Sequence, residues 1–204
     1  PRLFMAIVAI SFFWAIGALL AAQFPPLVKN ALGADQSVAT LFMAIFSIGV
    51  AIGSVAINRL LKQQVSARYA PASVIVMGIF VLDFWWNILG WKVQPGGLIN
   101  WRDFLEVGRG AHMLMDLLGI AIFGGMFVVP LYAFLTTTVA QSETAKTVAA
   151  NNIVNAGFMV FATSMLGVLT HFGVSIENTL LFVAASCLVS AWIGWKLHKL
   201  CDAA

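Results

Sequence analysis

Six apolar runs, each of about twenty residues or more, decide what this 204-residue chain can fold into. They span Leu3–Ala22, Ser37–Ile57, Ala72–Trp91, Gly110–Leu135, Val148–Leu169 and Ile176–Leu197. Hydrocarbon offers no partner to a backbone N–H or C=O, so runs this long are helices. None shows the short alternation of a membrane β-strand. The expected fold is therefore an all-α membrane protein with six transmembrane helices. Composition agrees, with 61% hydrophobic and 9% charged residues against about a quarter charged in soluble domains. Connections carry the polar punctuation: Pro25-Pro26 with Asn30, Arg59 to Arg68, Pro95-Gly96-Gly97, Thr136 to Thr147, and His171 to Ser175.

Charge and cysteine exclude other classes. The excess of basic residues is scattered singly and makes no stripe for nucleic acid. Cys187 and Cys201 form neither a disulfide framework nor a metal-ligand spacing. The first run lacks a small-residue cleavage site and more runs follow it, unlike a leader peptide. A start at Pro1-Arg2-Leu3 without Met suggests a piece of a longer protein.

Basic residues orient the spans. Arg2, Arg59, Lys62, Arg68, Lys146, Lys196 and Lys199 fall on the side of the termini, and Lys29, Lys92, Arg102 and Arg109 fall opposite, seven of the eleven against four. Both termini are expected in the cytoplasm. Trp91 and Trp101 flank the longest outer connection, and Trp192 and Trp195 stand near the end of the last span, as interface anchors do. Within that connection, WRDFLEV from Trp101 reads either as a short amphipathic turn or as a solvated loop. Pro26-Leu27 closes the first span and Pro130-Leu131 the fourth, at ends that face opposite sides, as an inverted three-plus-three repeat would produce.

Polar groups inside the runs are the candidates for function, because they are costly in lipid and face protein or a water-filled cavity. Arg109, His112 and Asp116 share a face of the fourth span, at spacings of three and four. A His–Asp pair one turn apart can relay protons or hold a zwitterionic headgroup; the alternative is an ion pair that only orients the helix. Asp83 and Asn87 stand one turn apart on the third span, as a coupling site or a buried pair. Asn151, Asn152 and Asn155 open the fifth span at spacings of three and four, followed by Gly157. Amides there either line a polar cavity or bind helices together, at about 0.6–2 kcal/mol per contact.

Gly49 and Gly53 permit close helix approach, and Pro130 removes a backbone donor within the fourth span. His112-x-x-x-Asp116 is one residue short of the His-x-x-x-x-Asp of glycerolipid acyltransferases. The chain has no phosphate-cradling glycine loop, Cys–His pair or zinc-type histidine cluster. No catalytic residue, metal or cofactor is expected.

These residues resemble a known family. GSVAINRLLKQQVSARYAP, from Gly53 to Pro71, sits where the major facilitator superfamily carries its Gly-x-x-x-Asp-Arg loop, with Asn58-Arg59 in place of Asp-Arg. Gly124, Gly125, Phe127, Val129, Pro130 and Leu131, then Ala150, Asn151, Asn152, Asn155 and Ala156, look like the paired runs of its lysophospholipid transporter branch, including members fused to an acyltransferase and an acyl-acyl-carrier-protein synthetase. The resemblance implies that residues 1–204 are the C-terminal six-helix half of a transporter. It implies movement of a lysophosphatidylethanolamine-like lipid across the bacterial inner membrane by alternating access, for reacylation in the cytoplasm. An N-terminal half in a parent chain would complete the route, with Asn151, Asn152, Asn155, His112, Asp116 and Arg109 on the substrate path. Gly124 and Gly125 would join Pro130, Gly49 and Gly53 in gating or packing. A proton-coupled exporter of amphipathic drugs, a membrane anchor and an integral acyltransferase using His112 are the alternatives.

Overall fold

A computed structural model describes residues 2–62, 64–93 and 95–202. The Pro1 start and the Ala203-Ala204 end lie outside them. The helices are α1 (Arg2–Pro26), which continues as a π-helix (Leu27–Ala31), α2 (Gln36–Leu60), α3 (Ala70–Leu89), the short α4 (Trp101–Glu106), α5 (Gly108–Thr137), α6 (Thr144–His171) and α7 (Ile176–Asp202). A single 3-10 turn, Gln141–Glu143, precedes α6. Six of these helices are long and apolar enough to cross a membrane. WRDFLEV takes the helical alternative, as α4: the Asn100 side chain accepts from the Arg102 and Asp103 N–H groups, and Phe104 is buried.

Pro25-Pro26 does not end the first helix. Adjacent prolines remove two N–H donors from the α ladder. Beyond them the chain widens into the π-helix, closed by a Leu32 N–H bond to the Leu27 carbonyl at 3.1 Å. Pro130, by contrast, is buried within an α5 that stays helical to Thr137.

The helices pack by exchange symmetry. Reading α1, α2, α3 against α5, α6, α7, the main pairs α2–α5 and α3–α5 map onto α6–α1 and α7–α1, while α3–α7 and α1–α5 map onto themselves. Two spans, α2 and α3, lie between α1 and α5, so these two cross in opposite directions and the repeat is inverted. Glycine sets the α2–α5 distance. A Cβ at Gly49 would lie 2.5 Å from the Ala121 Cβ, one at Gly53 would strike the Ile122 carbonyl, and one at Gly125 would lie 2.7 Å from the Val50 carbonyl. At Gly53 and Gly125 the two backbones are in contact, with no room for a side chain on either glycine.

At the end of the bundle where α4 lies, aromatic rings fill the space between helices. Phe42 meets Phe24, Phe84 and Phe104 at centroid distances of 5.7, 5.9 and 5.7 Å, and Phe104 meets Trp91 at 5.1 Å. The loops above are laced to one another. Asp35 N–H donates to the Ile99 carbonyl and Ile99 N–H to the Gly33 carbonyl, the Trp91 indole donates to the Leu32 carbonyl, and Trp101 N–H donates to the Ser37 hydroxyl.

Burial is uneven. Only 22% of the α2 span and 11% of the α6 span is buried, against 50% for α1 and 56% for α5 and α7. Both sparsely buried helices flank the central α1–α5 pair. α3 and α7 cover one side of the α1–α5 pair, and no described spanning helix packs across the other side, between α2 and α6.

Candidate functional site

On that face stands a group that three helices assemble around one phenol. The Tyr132 oxygen, on α5, accepts from the Trp14 indole of α1 at 2.8 Å and from the Asn155 and Asn151 amides of α6 at 3.2 and 3.4 Å. Asn155 in turn accepts from the Ser11 hydroxyl at 2.7 Å. A phenol carries two acceptor sites and one donor, so three donors oversubscribe it. The Asn151 carbonyl oxygen, fully buried, finds no hydrogen-bond partner among the described residues.

Local sequence explains how each member arrives. Ser11 and Trp14 are three residues apart on α1, and Asn151 and Asn155 four apart on α6, so each pair shares a face. Tyr132 extends from α5 into the gap between them. Trp14 is 39% exposed, and Tyr132 is half-buried, so this polar group is partly open to the uncovered face.

Asn152 is separated from the other two amides. It stands about 100° round α6 from Asn151 and is exposed. An apolar groove against α7 uses Phe158, Phe161 and Met165 of α6, together with Phe12, Leu19 and Phe182. Asn152 is about 120–180° from those three α6 residues, which puts it on the other flank, beside the uncovered face. Asn151 and Asn155 thus join helices, and Asn152 is free to meet a partner.

The second candidate group is elsewhere. His112 Nε2 lies 3.0 Å from Asp83 Oδ2 and 3.7 Å from Asp116 Oδ1. Asn87 donates through Nδ2 to Asp116 Oδ2 and to the Asp83 carbonyl, each at 3.0 Å. The two pairs expected separately on the third and fourth spans are one four-residue cluster across α3 and α5. Arg109 is outside it: its guanidinium lies against Gly90, at the end of α3. One ligand atom from each of Asp83, His112 and Asp116 falls within 4.8 Å of the others, close enough to hold a metal ion.

The two groups stand apart on α5. Asp116 and Tyr132 are sixteen residues apart on α5, which is roughly 24 Å along the helix and about 160° round it. Gly49, Gly53 and Gly125 serve packing between α2 and α5, and Gly124 seats the Phe13 ring at 3.2 Å. Tyr132, Trp14 and Ser11 are functional candidates that the sequence reading did not single out. A signal was present: Tyr132 is one of two tyrosines in the chain, and it sits in an apolar run where its hydroxyl requires a partner.

The chain matches no protein-family model and no solved structure. It is similar to proteins named lysophospholipid transporter LplT. Against that of Shigella boydii serotype 4 (strain Sb227) it is 31% identical over 150 residues, 73% of this chain and 31% of the relative. Against that of Citrobacter koseri (strain ATCC BAA-895 / CDC 4225-83 / SGSC4696) the values are the same. Against that of Cronobacter sakazakii (strain ATCC BAA-894) it is 28% identical over 176 residues, 86% of this chain and 38% of the relative. The chain spans about a third of the length of these relatives. Six spanning helices and relatives named as transporters make it a multi-pass membrane protein.

Proposed function

We propose that this chain is one half of a lysophospholipid transporter of the major facilitator type. It works by alternating access in the inner membrane, with both termini in the cytoplasm and an N-terminal half of the parent chain against the face that α2 and α6 leave open. The lipid delivered is lysophosphatidylethanolamine-like and is reacylated on the cytoplasmic side. The observation that carries this reading is the Trp14–Tyr132–Asn151–Asn155 group at the uncovered face, with Asn152 exposed beside it.

The chemistry suits the substrate. A lysolipid presents a zwitterionic head on one acyl chain, so its route combines hydrogen-bonding groups with apolar wall. The hydroxyl, indole and amides here bind such a head without a fixed charge in hydrocarbon. Inverted repeats support alternating access, with the Tyr132 group toward the cytoplasmic end of α5 and α6 in the orientation proposed. The names of the relatives point to the same substrate class.

The test is uptake of labelled lysophosphatidylethanolamine by spheroplasts carrying the full-length parent at matched membrane expression. Asn152→Leu is expected to lower uptake while leaving the melting temperature unchanged. Uptake equal to that of the parent would remove Asn152 from the path. If the unmodified parent moves no lysolipid, the lysolipid reading fails and proton-driven export of amphipathic drugs takes its place.

A further inference from the structure

We propose that Asp83, His112 and Asp116 bind a first-row divalent cation, of the Zn2+ or Mn2+ kind, and that this ion clips α3 to α5 near the α4 end of the bundle. The inference rests on different residues from the lipid path and stands whether or not lysolipid is the substrate.

The donor set comes first. One imidazole nitrogen and two carboxylates suit zinc and manganese, whereas a calcium or magnesium site would take oxygen alone. Their ligand atoms lie within 4.8 Å of one another, with His112 Nε2 at 3.0 and 3.7 Å from the two carboxylates. Metal–ligand bonds of about 2.0–2.2 Å put neighbouring ligand atoms some 3–4 Å apart around one ion, so small side-chain movements complete the site. The three ligands come from two helices, which is how a metal becomes a cross-link.

Support round the ligands is also in place. The Asn87 amide holds Asp116 Oδ2 and is itself held close to the Asp83 carbonyl, an outer contact that fixes a ligand's orientation. Access is asymmetric in the useful sense: Asp116 is 2% exposed, while Asp83 and His112 are 44% and 54% exposed. An ion can enter from the open side and seat against the buried carboxylate, and water can fill its remaining positions.

Charge gives the independent argument. Two carboxylates meet at one imidazole, the ion-pair partner of both among the described residues. The guanidinium that could have balanced them, Arg109, lies over Gly90 instead. Intramembrane carboxylates are rare and paired, and a divalent cation would partner both of these at once.

The experiment is a Mn2+ titration, read by electron paramagnetic resonance, of the full-length protein in lipid nanodiscs, beside Asp83→Asn, His112→Gln and Asn87→Leu. The unmodified protein is expected to bind one more equivalent of Mn2+ than Asp83→Asn or His112→Gln, and Zn2+ displaces that equivalent. Asn87→Leu is expected to weaken it about tenfold or more, as loss of an outer contact does. Zn2+ should also raise the melting temperature of the unmodified protein and not that of His112→Gln, a comparison within each protein that survives a variant of altered baseline stability. Equal Mn2+ binding by all the variants, or no saturable equivalent in the unmodified protein, overturns the proposal and leaves protons as the balancing charge.

Discussion

The Trp14 indole N–H donates to the Tyr132 phenol oxygen at 2.8 Å across 118 residues of sequence. With the two asparagines of α6 added, this bond makes Tyr132 the point at which α1, α5 and α6 are pinned together. Removing the oxygen strands three donors rather than one.

Tyr132→Phe is therefore expected to lower stability by about 1–3 kcal/mol, the cost of leaving buried donors unmet. Thermal unfolding in detergent measures it. Ser11→Ala, which removes one donor to Asn155, is expected to cost less. A Tyr132→Phe protein that melts with the unmodified one would show that the network contributes no stability.

Glycine between α2 and α5 gives a second comparison. Gly53→Ala drives a Cβ into the Ile122 carbonyl, whereas a Cβ at Gly17 meets nothing within 4 Å. Gly53→Ala is expected to cost at least the 1–3 kcal/mol typical of overpacking, seen as loss of the monodisperse peak in fluorescence-detected size exclusion. Gly17→Ala should run as the unmodified protein does.

Acid sensitivity at the start of α2 is the third. The Ser37 hydroxyl, and then the Ser37 N–H, donate to the Asp35 carboxylate and hold it below its ordinary value of 3.8. A group whose folded value is depressed contributes stability that is present above the ordinary value and lost as pH falls through the folded one. Melting temperature below about pH 4 should thus fall more steeply in the unmodified protein than in Asp35→Asn, which keeps a capping oxygen that does not titrate. Parallel curves for the two would refute the assignment.

Phe104 supplies the fourth. It is fully buried and touches both Phe42 and Trp91. Phe104→Ala is expected to cost about 3–5 kcal/mol, with faster proteolytic cutting in the 90–100 connection than in the 137–144 connection. Equal acceleration at both would mean that the loss is global.

Helix number and the α2–α5 glycine contact were legible because length, hydropathy and small-residue spacing act locally. Pro25-Pro26 misled for a local reason too: proline forbids two α bonds, but a π turn closed between residues five apart carries the helix past them. The asparagines show the limit of spacing. Offsets of three and four gather Asn151, Asn152 and Asn155 on one broad face, yet the boundary between the packed and open sides of α6 runs inside that face, and only α1 decides where. Asp83 with His112 was out of reach, because no periodicity on one helix reveals which neighbour it meets.

The lacing of Gly33, Leu32 and Ser37 to Ile99, Trp91 and Trp101 joins the α1–α2 corner to the α3–α4 corner. Neither corner can slide past the other without breaking several bonds at once. In the proposed transport cycle the two laced corners would move together, and the compliance would reside away from them.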